Sequence, residues 1–314
     1  VNESRQMFNT SSAAAFTTEA GEKSTLYRVN FLQKVSRKQV KLSFGLQVTP
    51  VKPLPPDYSS MVTANYSKQG QSYFRKLAKY LLFSTVWRNN CNYMKYICDP
   101  GGIDYRILKN AVDYSHSKGV QAIPYFAPIS FSEGVQPEFV DYYEEWIQTP
   151  VRQWKAESSI QVRCCVNSGY LDYLIWQLNK IQQKTGCDGF YFDGAWPVAC
   201  SNPLHGCGYV DAAGVRQPTY AVRKIREFLR RAAVVAMTNS VKPQHWKSTR
   251  ESPGFPEYQV WIHVSGAIAP PMHSFSTAMF AGEWFKRAIR DGANYDKLLT
   301  IEKFIPRYIS QPWG

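Results

Sequence analysis

The stretch CDGFYFDGAWPVACSNPLHGCGYVD, Cys187–Asp211, decides how this chain is read. It opens as an apolar run that stops on a carboxylate, Asp193, and continues into a loop rich in Gly, Pro, Cys and His. Side chains alternate between the two faces of a strand, so Asp188, Phe190 and Phe192 share one face of DGFYFD. Gly189, Tyr191 and Asp193 share the other. The phenylalanine face suits a layer packed between sheet and helices. The opposite face then carries Asp193 at the C-terminal end of its strand.

Outward from this strand, apolar strands alternate with amphipathic helices. SGYLDYLIWQLNKIQQKTG, just upstream, repeats Leu171, Leu174, Ile175, Leu178 and Ile181 at helical spacing, with Ser168 to cap it and Gly186 to stop it. TYAVRKIREFLRRAAVVAM, downstream, is a second long helix, and DYRILKNAVDYSHSKG a third, with Asp104 as its cap. LLFSTVW, VQAIPYFAP, IQVRCCV, YQVWIHVSG and AMFAGE read as further strands. Such alternation implies a parallel sheet. A length of about 250 residues favours a (β/α)8 TIM barrel over an open doubly wound sheet, and no G-x-G-x-x-G supports the dinucleotide-binding alternative. With about six strands visible, the last part of the barrel is expected beyond Gly314.

Ahead of the barrel, TPVKPLPPDYSS holds four prolines, which cannot donate to a sheet ladder. Residues 51–60 therefore read as a linker, 61–314 as the barrel, and 1–50 as the end of an N-terminal β domain. TLYRVNFLQ and VKLSFGLQV alternate as two half-buried strands of that domain, and the first 25 residues read as a loose terminus. The chain starts at Val1 with no signal-like segment, as a fragment or processed product would. A secreted or periplasmic location is compatible with it, and no compartment is assigned.

With 314 residues, 44% of them apolar and 15% aromatic, the chain can bury a large core. Its net charge of +13 is scattered, without a nucleic-acid recognition motif, so nucleic-acid binding is not expected. No run of about 18 apolar residues is present, and no membrane span is expected. The seven cysteines are an odd number and cannot all pair within the chain.

The candidate chemistry sits at strand ends. Glu283 closes AMFAGE much as Asp193 closes DGFYFD. Two carboxylates at strand ends of one barrel can converge on a cleft, as glycoside hydrolysis requires: one attacks or stabilises the anomeric centre and the other protonates the leaving oxygen. His263 and Ser265 share the polar face of YQVWIHVSG with Trp261 and are candidate sugar-binding groups. Trp196, Tyr125 and Asn89 follow or end other strands and are candidate cleft walls. Cys200, His205 and Cys207 form C-x4-H-x-C, three close ligands where a closed zinc site needs four. Cys164, Cys165 or Cys187 could add a fourth, and a Cys200–Cys207 disulfide is a rival in an oxidising compartment. The loop is read as structural, with neither metal nor cofactor expected.

TPVKPLP, GVQAIPYFAP, GCDGFYFDGAWPVACSNPLHGCGYVDAAGVRQPTY, SGAIAPPMHSFSTAMFAGE and the terminal QPWG together resemble the barrel domain of glycoside hydrolase family 123-like proteins, long carried as a domain of unknown function. The resemblance covers roughly residues 40 to 314 and is most specific from Gly186 to Tyr220. It implies a β-sandwich ahead of a (β/α)8 barrel and a carbohydrate substrate. Family 123 uses an adjacent Asp-Glu pair, whereas Asp193 is followed here by Gly194. The pairing of a strand-four Asp with a later acid is instead similar to α-galactosidase-like barrels, which implies Asp193 as nucleophile, Glu283 as general acid/base, and retention. A non-catalytic glycan-binding barrel and a zinc- or thiol-dependent protein are the alternatives.

Overall fold

The computed structural model describes residues 105–118, 120–132, 137–156, 159–239, 258–264 and 274–281, the backbone of four strands before them, and a few positions between 272 and 300. Six parallel strands form the central sheet: β1 (Val62–Tyr66), β2 (Leu81–Val86), β3 (Gln121–Phe126), β4 (Gly189–Asp193), β5 (Gln259–Val264) and β6 (Ala278–Ala281). Each strand pairs with the one before it in the chain, so spatial order and chain order are the same. A doubly wound sheet reverses direction at a switch point, and these six strands contain no such reversal.

Helix α1 (Tyr105–His116) joins β2 to β3, and α2 (Pro137–Trp146) follows β3. Helix α3 (Tyr170–Thr185) joins β3 to β4, and α4 (Val222–Asn239) joins β4 to β5. Helix α3 buries Leu171, Leu174, Leu178 and Ile181 of the stripe expected from its spacing, with Ile175 only partly buried at its edge. It ends at Gly186, whose φ of +69° is the left-handed conformation that glycine adopts at least cost, with its N–H on Gln182 O. The N-cap is Gly169 and not the expected Ser168, whose hydroxyl sits one residue earlier and accepts from the Tyr170 N–H at 3.3 Å.

The two faces of β4 separate as its alternation requires. Phe190 and Phe192 stack on each other at 5.7 Å, and Phe192 meets Phe228 of α4 at 4.8 Å. Both phenylalanines are fully buried in the sheet–helix layer, each contributing about 1.5–3 kcal/mol of burial. Tyr191, on the other face, contacts Tyr125 at 5.2 Å, Trp261 at 6.0 Å and His263 at 5.8 Å. Below these rings the interior is polar and satisfied. Gln259 Nε2 donates to Gln121 Oε1 at 3.0 Å, and Gln259 Oε1 accepts from Trp261 Nε1 at 3.0 Å and Thr277 Oγ1 at 2.7 Å.

Two segments differ from the sequence reading. IQVRCCV contributes no strand to the parallel sheet: Ser159–Arg163 is the middle strand of a small antiparallel sheet with Ser130–Ser132 and Gln153–Ala156. A period-two pattern signals a strand but not its partner. Val62–Tyr66 takes the vacated place in the count, so Asp193 still ends the fourth strand. At the other end, Phe16–Ala20 is not loose chain but pairs antiparallel with Thr25–Val29. VKLSFGLQV and the proline-rich 51–60 lie outside the described residues.

Candidate functional site

The site is built where β3, β4 and β5 end side by side. Parallel register sets Tyr125, Tyr191 and Trp261 at one level, and Asp193 opposite His263 at the level above. Asp193 Oδ2 accepts a hydrogen bond from the Tyr125 hydroxyl and lies 3.7 Å from His263 Nδ1. The Asp193 side chain is 28% exposed, while His263 is 5% exposed. A carboxylate thus reaches solvent from an aromatic floor, oriented by a phenol on one neighbouring strand and flanked by an imidazole on the other.

Beyond Asp193 the chain turns at Gly194, whose φ is +75°. Trp196 N–H closes the turn on Gly194 O at 2.9 Å. Arg163, at the end of the antiparallel strand Ser159–Arg163, lays its guanidinium over the Trp196 ring at 5.1 Å and donates to Gly194 O at 3.5 Å. Trp196 is therefore held by a cation beside the acid's strand end. Sequence reasoning did not find Arg163, because nothing in IQVRCCV indicates that its strand folds over the mouth of β4.

Of the residues singled out from the sequence, the structure brings Asp193, Tyr125 and His263 together and sets Trp196 beside the turn that follows Asp193. Glu283, Ser265 and Asn89 lie outside the described residues. Tyr191 and Trp261 form the floor; their alternation with Asp193 and His263 was the signal for them.

The loop after β4 is closely tied. Ala199–Cys200 pairs with Thr219–Tyr220, and Tyr209–Val210 with Arg216–Gln217. Asp211 accepts from the Ala213 and Val215 N–H groups at 2.9 Å each and from Gln217 Nε2 at 2.9 Å. Those bonds, the Val215 backbone first, hold its carboxyl below the usual range. Cys165, Cys200 and Cys207 form a separate buried cluster of free thiols beneath this loop. Cys200 and Cys207, for which a disulfide is the rival reading, are free thiols in this structure, and Cys165 joins them. The neighbouring thiols donate to Cys200 and hold it below the ordinary thiol range, whereas Cys165 is pushed above it. Cys187 stands apart under α3, and burial pushes its thiol up to about 12. No described helix is long and apolar enough to cross a membrane.

No family model matches the chain, and no curated protein matches it. Among solved structures, an α-galactosidase of Thermus thermophilus is similar over 73% of this chain and 41% of its own, at 10% identity and a TM-score of 0.42. A family 36 α-galactosidase of Geobacillus stearothermophilus matches 71% of this chain and 30% of its own, at 10% identity and 0.46. A cycloisomaltooligosaccharide glucanotransferase of Paenibacillus sp. matches 72% and 34%, at 11% identity and 0.46. The chain spans between 30% and 41% of the length of these proteins.

Proposed function

We propose that this chain acts on glycans as a glycoside hydrolase, with Asp193 as one of its two reacting carboxylates. The observation that carries this reading is a half-exposed acid at the C-terminal end of a central parallel strand, held by the Tyr125 hydroxyl above a floor of aromatic rings. In (β/α) barrels the C-terminal strand ends carry the chemistry. The unbroken sequential order of six parallel strands supports a barrel of that kind. The floor rings are buried, and Trp196, partly exposed beside the strand end, is the ring that packs against the C–H surface of a sugar in this reading. The resemblance to family 123-like barrels points to the same substrate class.

Within this reading Asp193 is the nucleophile, and Glu283 the general acid/base of a retaining double displacement. Tyr125 stabilises the Asp193 carboxylate from one side, and His263, which is buried and not exposed to substrate, flanks it on the other. The test is a screen of aryl glycosides and glycan libraries, with Asp193→Asn as the control. Hydrolysis lost in Asp193→Asn supports the assignment. A substrate turned over equally by both proteins removes it. Glycan binding without turnover by the unaltered chain would replace it with a binding barrel.

A further inference from the structure

The thiols and imidazole beneath the loop after β4 have no part in sugar chemistry. Cys165 comes from the loop after β3, and Cys200, His205 and Cys207 from the loop after β4. All four are buried. Cys165 Sγ and Cys207 Sγ are 3.7 Å apart, and Cys200 Sγ is 3.6 Å from His205 Nδ1. A tetrahedral zinc with Zn–S bonds of about 2.3 Å and a Zn–N bond of about 2.05 Å has an S–S edge of about 3.8 Å and an S–N edge of about 3.6 Å. Both measured separations have the length of an edge of that tetrahedron, and Cys207 Sγ reaches the group through Cys165. The donor atoms of Cys165, Cys200 and His205 also lie within 4.8 Å of one another.

The surroundings suit ligands. His205 Nε2 faces the backbone oxygen of Glu145 at 2.5 Å. A carbonyl can only accept, so the proton is on Nε2 and the lone pair of Nδ1 points at the thiols. A metal-bound imidazole is oriented in this way. Cys200 Sγ accepts from the N–H groups of Thr149 and Asn202 at 3.5 Å each, and Cys207 Sγ from Asn167 Nδ2 at 2.9 Å. Such donors stabilise thiolate charge. Gly206, with φ of +65°, lets the chain turn sharply between His205 and Cys207.

We propose that Cys165, Cys200, His205 and Cys207 form a structural Cys3His zinc site that staples the loop after β3 to the loop after β4, with Cys207 closing onto the other three ligands when the metal binds. Four protein ligands leave no open position, so the metal is structural and not catalytic. Three thiolates and one imidazole select zinc over the hard cations calcium and magnesium. The site stands whether or not Asp193 is catalytic.

The test uses the full chain, expressed without a polyhistidine tag in zinc-supplemented medium. Elemental analysis after dialysis is expected to find zinc equimolar with the chain. Cobalt exchanged into the site is expected to give intense tetrahedral d–d bands and a thiolate-to-cobalt charge-transfer band. His205→Cys is expected to keep the metal and strengthen that charge-transfer band. Cys165→Ser is expected to lose zinc while circular dichroism retains the helices; should it fail to fold, the cobalt spectra of the other two proteins decide. A folded wild-type chain without zinc, a disulfide among these cysteines in a non-reduced digest, or an unchanged cobalt spectrum in His205→Cys overturns the proposal.

Discussion

Asp188 and Asp193 stand at the two ends of β4 in opposite circumstances. Asp188, 2% exposed, accepts from the Ala122 N–H at 2.7 Å and pairs with His116 Nε2 at 2.8 Å. Asp193, with 28% of its side chain exposed, meets the Tyr125 hydroxyl and keeps a side to solvent. One carboxylate is committed to tying α1 to the foot of the sheet, and the other is available.

Removing each should therefore fail differently. Asp188→Ala breaks a buried pair and is expected to cost about 3–5 kcal/mol, measured by denaturant unfolding. Asp193→Asn is expected to change stability by less than about 1 kcal/mol. The same exchange should lower kcat on a verified glycoside by about 100- to 10,000-fold. An inactive but fully stable Asp188→Ala would reverse the two roles.

Tyr125→Phe removes the donor to Asp193 and keeps the ring against Tyr191. A hydrogen bond to a charged group is worth about 1.5–3 kcal/mol. We expect kcat/KM to fall roughly 10- to 100-fold, with circular dichroism unchanged. Wild-type kinetics in Tyr125→Phe would show that the phenol does not support the reaction.

Burial opposes protonation of His116, but the Asp188 hydrogen bond and charge, with Asp113 behind them, outweigh it, and the imidazole titrates above its ordinary 6.5. Because the folded value is raised, the pair's contribution is complete below the unfolded pKa and disappears as pH rises through the folded one. Urea midpoints are expected to fall as pH rises through that window, and His116→Gln should flatten the dependence. Equal slopes in the two proteins would remove His116 as the cause.

Gly189 lies opposite Gln259 of β5, and a Cβ there would come within 1.7 Å of Gln259 O. The obstruction is backbone and cannot swing away. Gly189→Ala is expected to cost more than about 3 kcal/mol, seen as a lowered Tm or insoluble protein. A Gly189→Ala chain with unaltered Tm would mean the strands can part at little cost.

The sequence carried much of this because β4 obeys a simple rule. Alternation alone separated Phe190 and Phe192 from Tyr191 and Asp193, and the helical stripe of α3 placed its buried face. What it could not carry was pairing across loops. IQVRCCV has the composition of a strand whether it joins a parallel sheet or folds over as part of an antiparallel flap. Misplacing it hid Arg163, which comes to rest on Trp196, and left Cys165 as one of three candidates for the thiol cluster until the fold singled it out. Cysteine spacing within CSNPLHGC revealed three neighbours, and the fourth lay a helix and a strand upstream, where spacing has no meaning.

The identity of spatial and chain order bears on how the protein is made. A nascent chain emerges from its N-terminal end and folds as it lengthens. Each new strand of this sheet finds its partner already in place, β2 on β1, β3 on β2, β4 on β3. Asp193 is then delivered early, with Tyr125 beside it, but an open flank remains until the chain has been synthesised as far as Val264. During synthesis the edge of β4 is the growing face of the sheet, and β5 is the strand that ends its exposure.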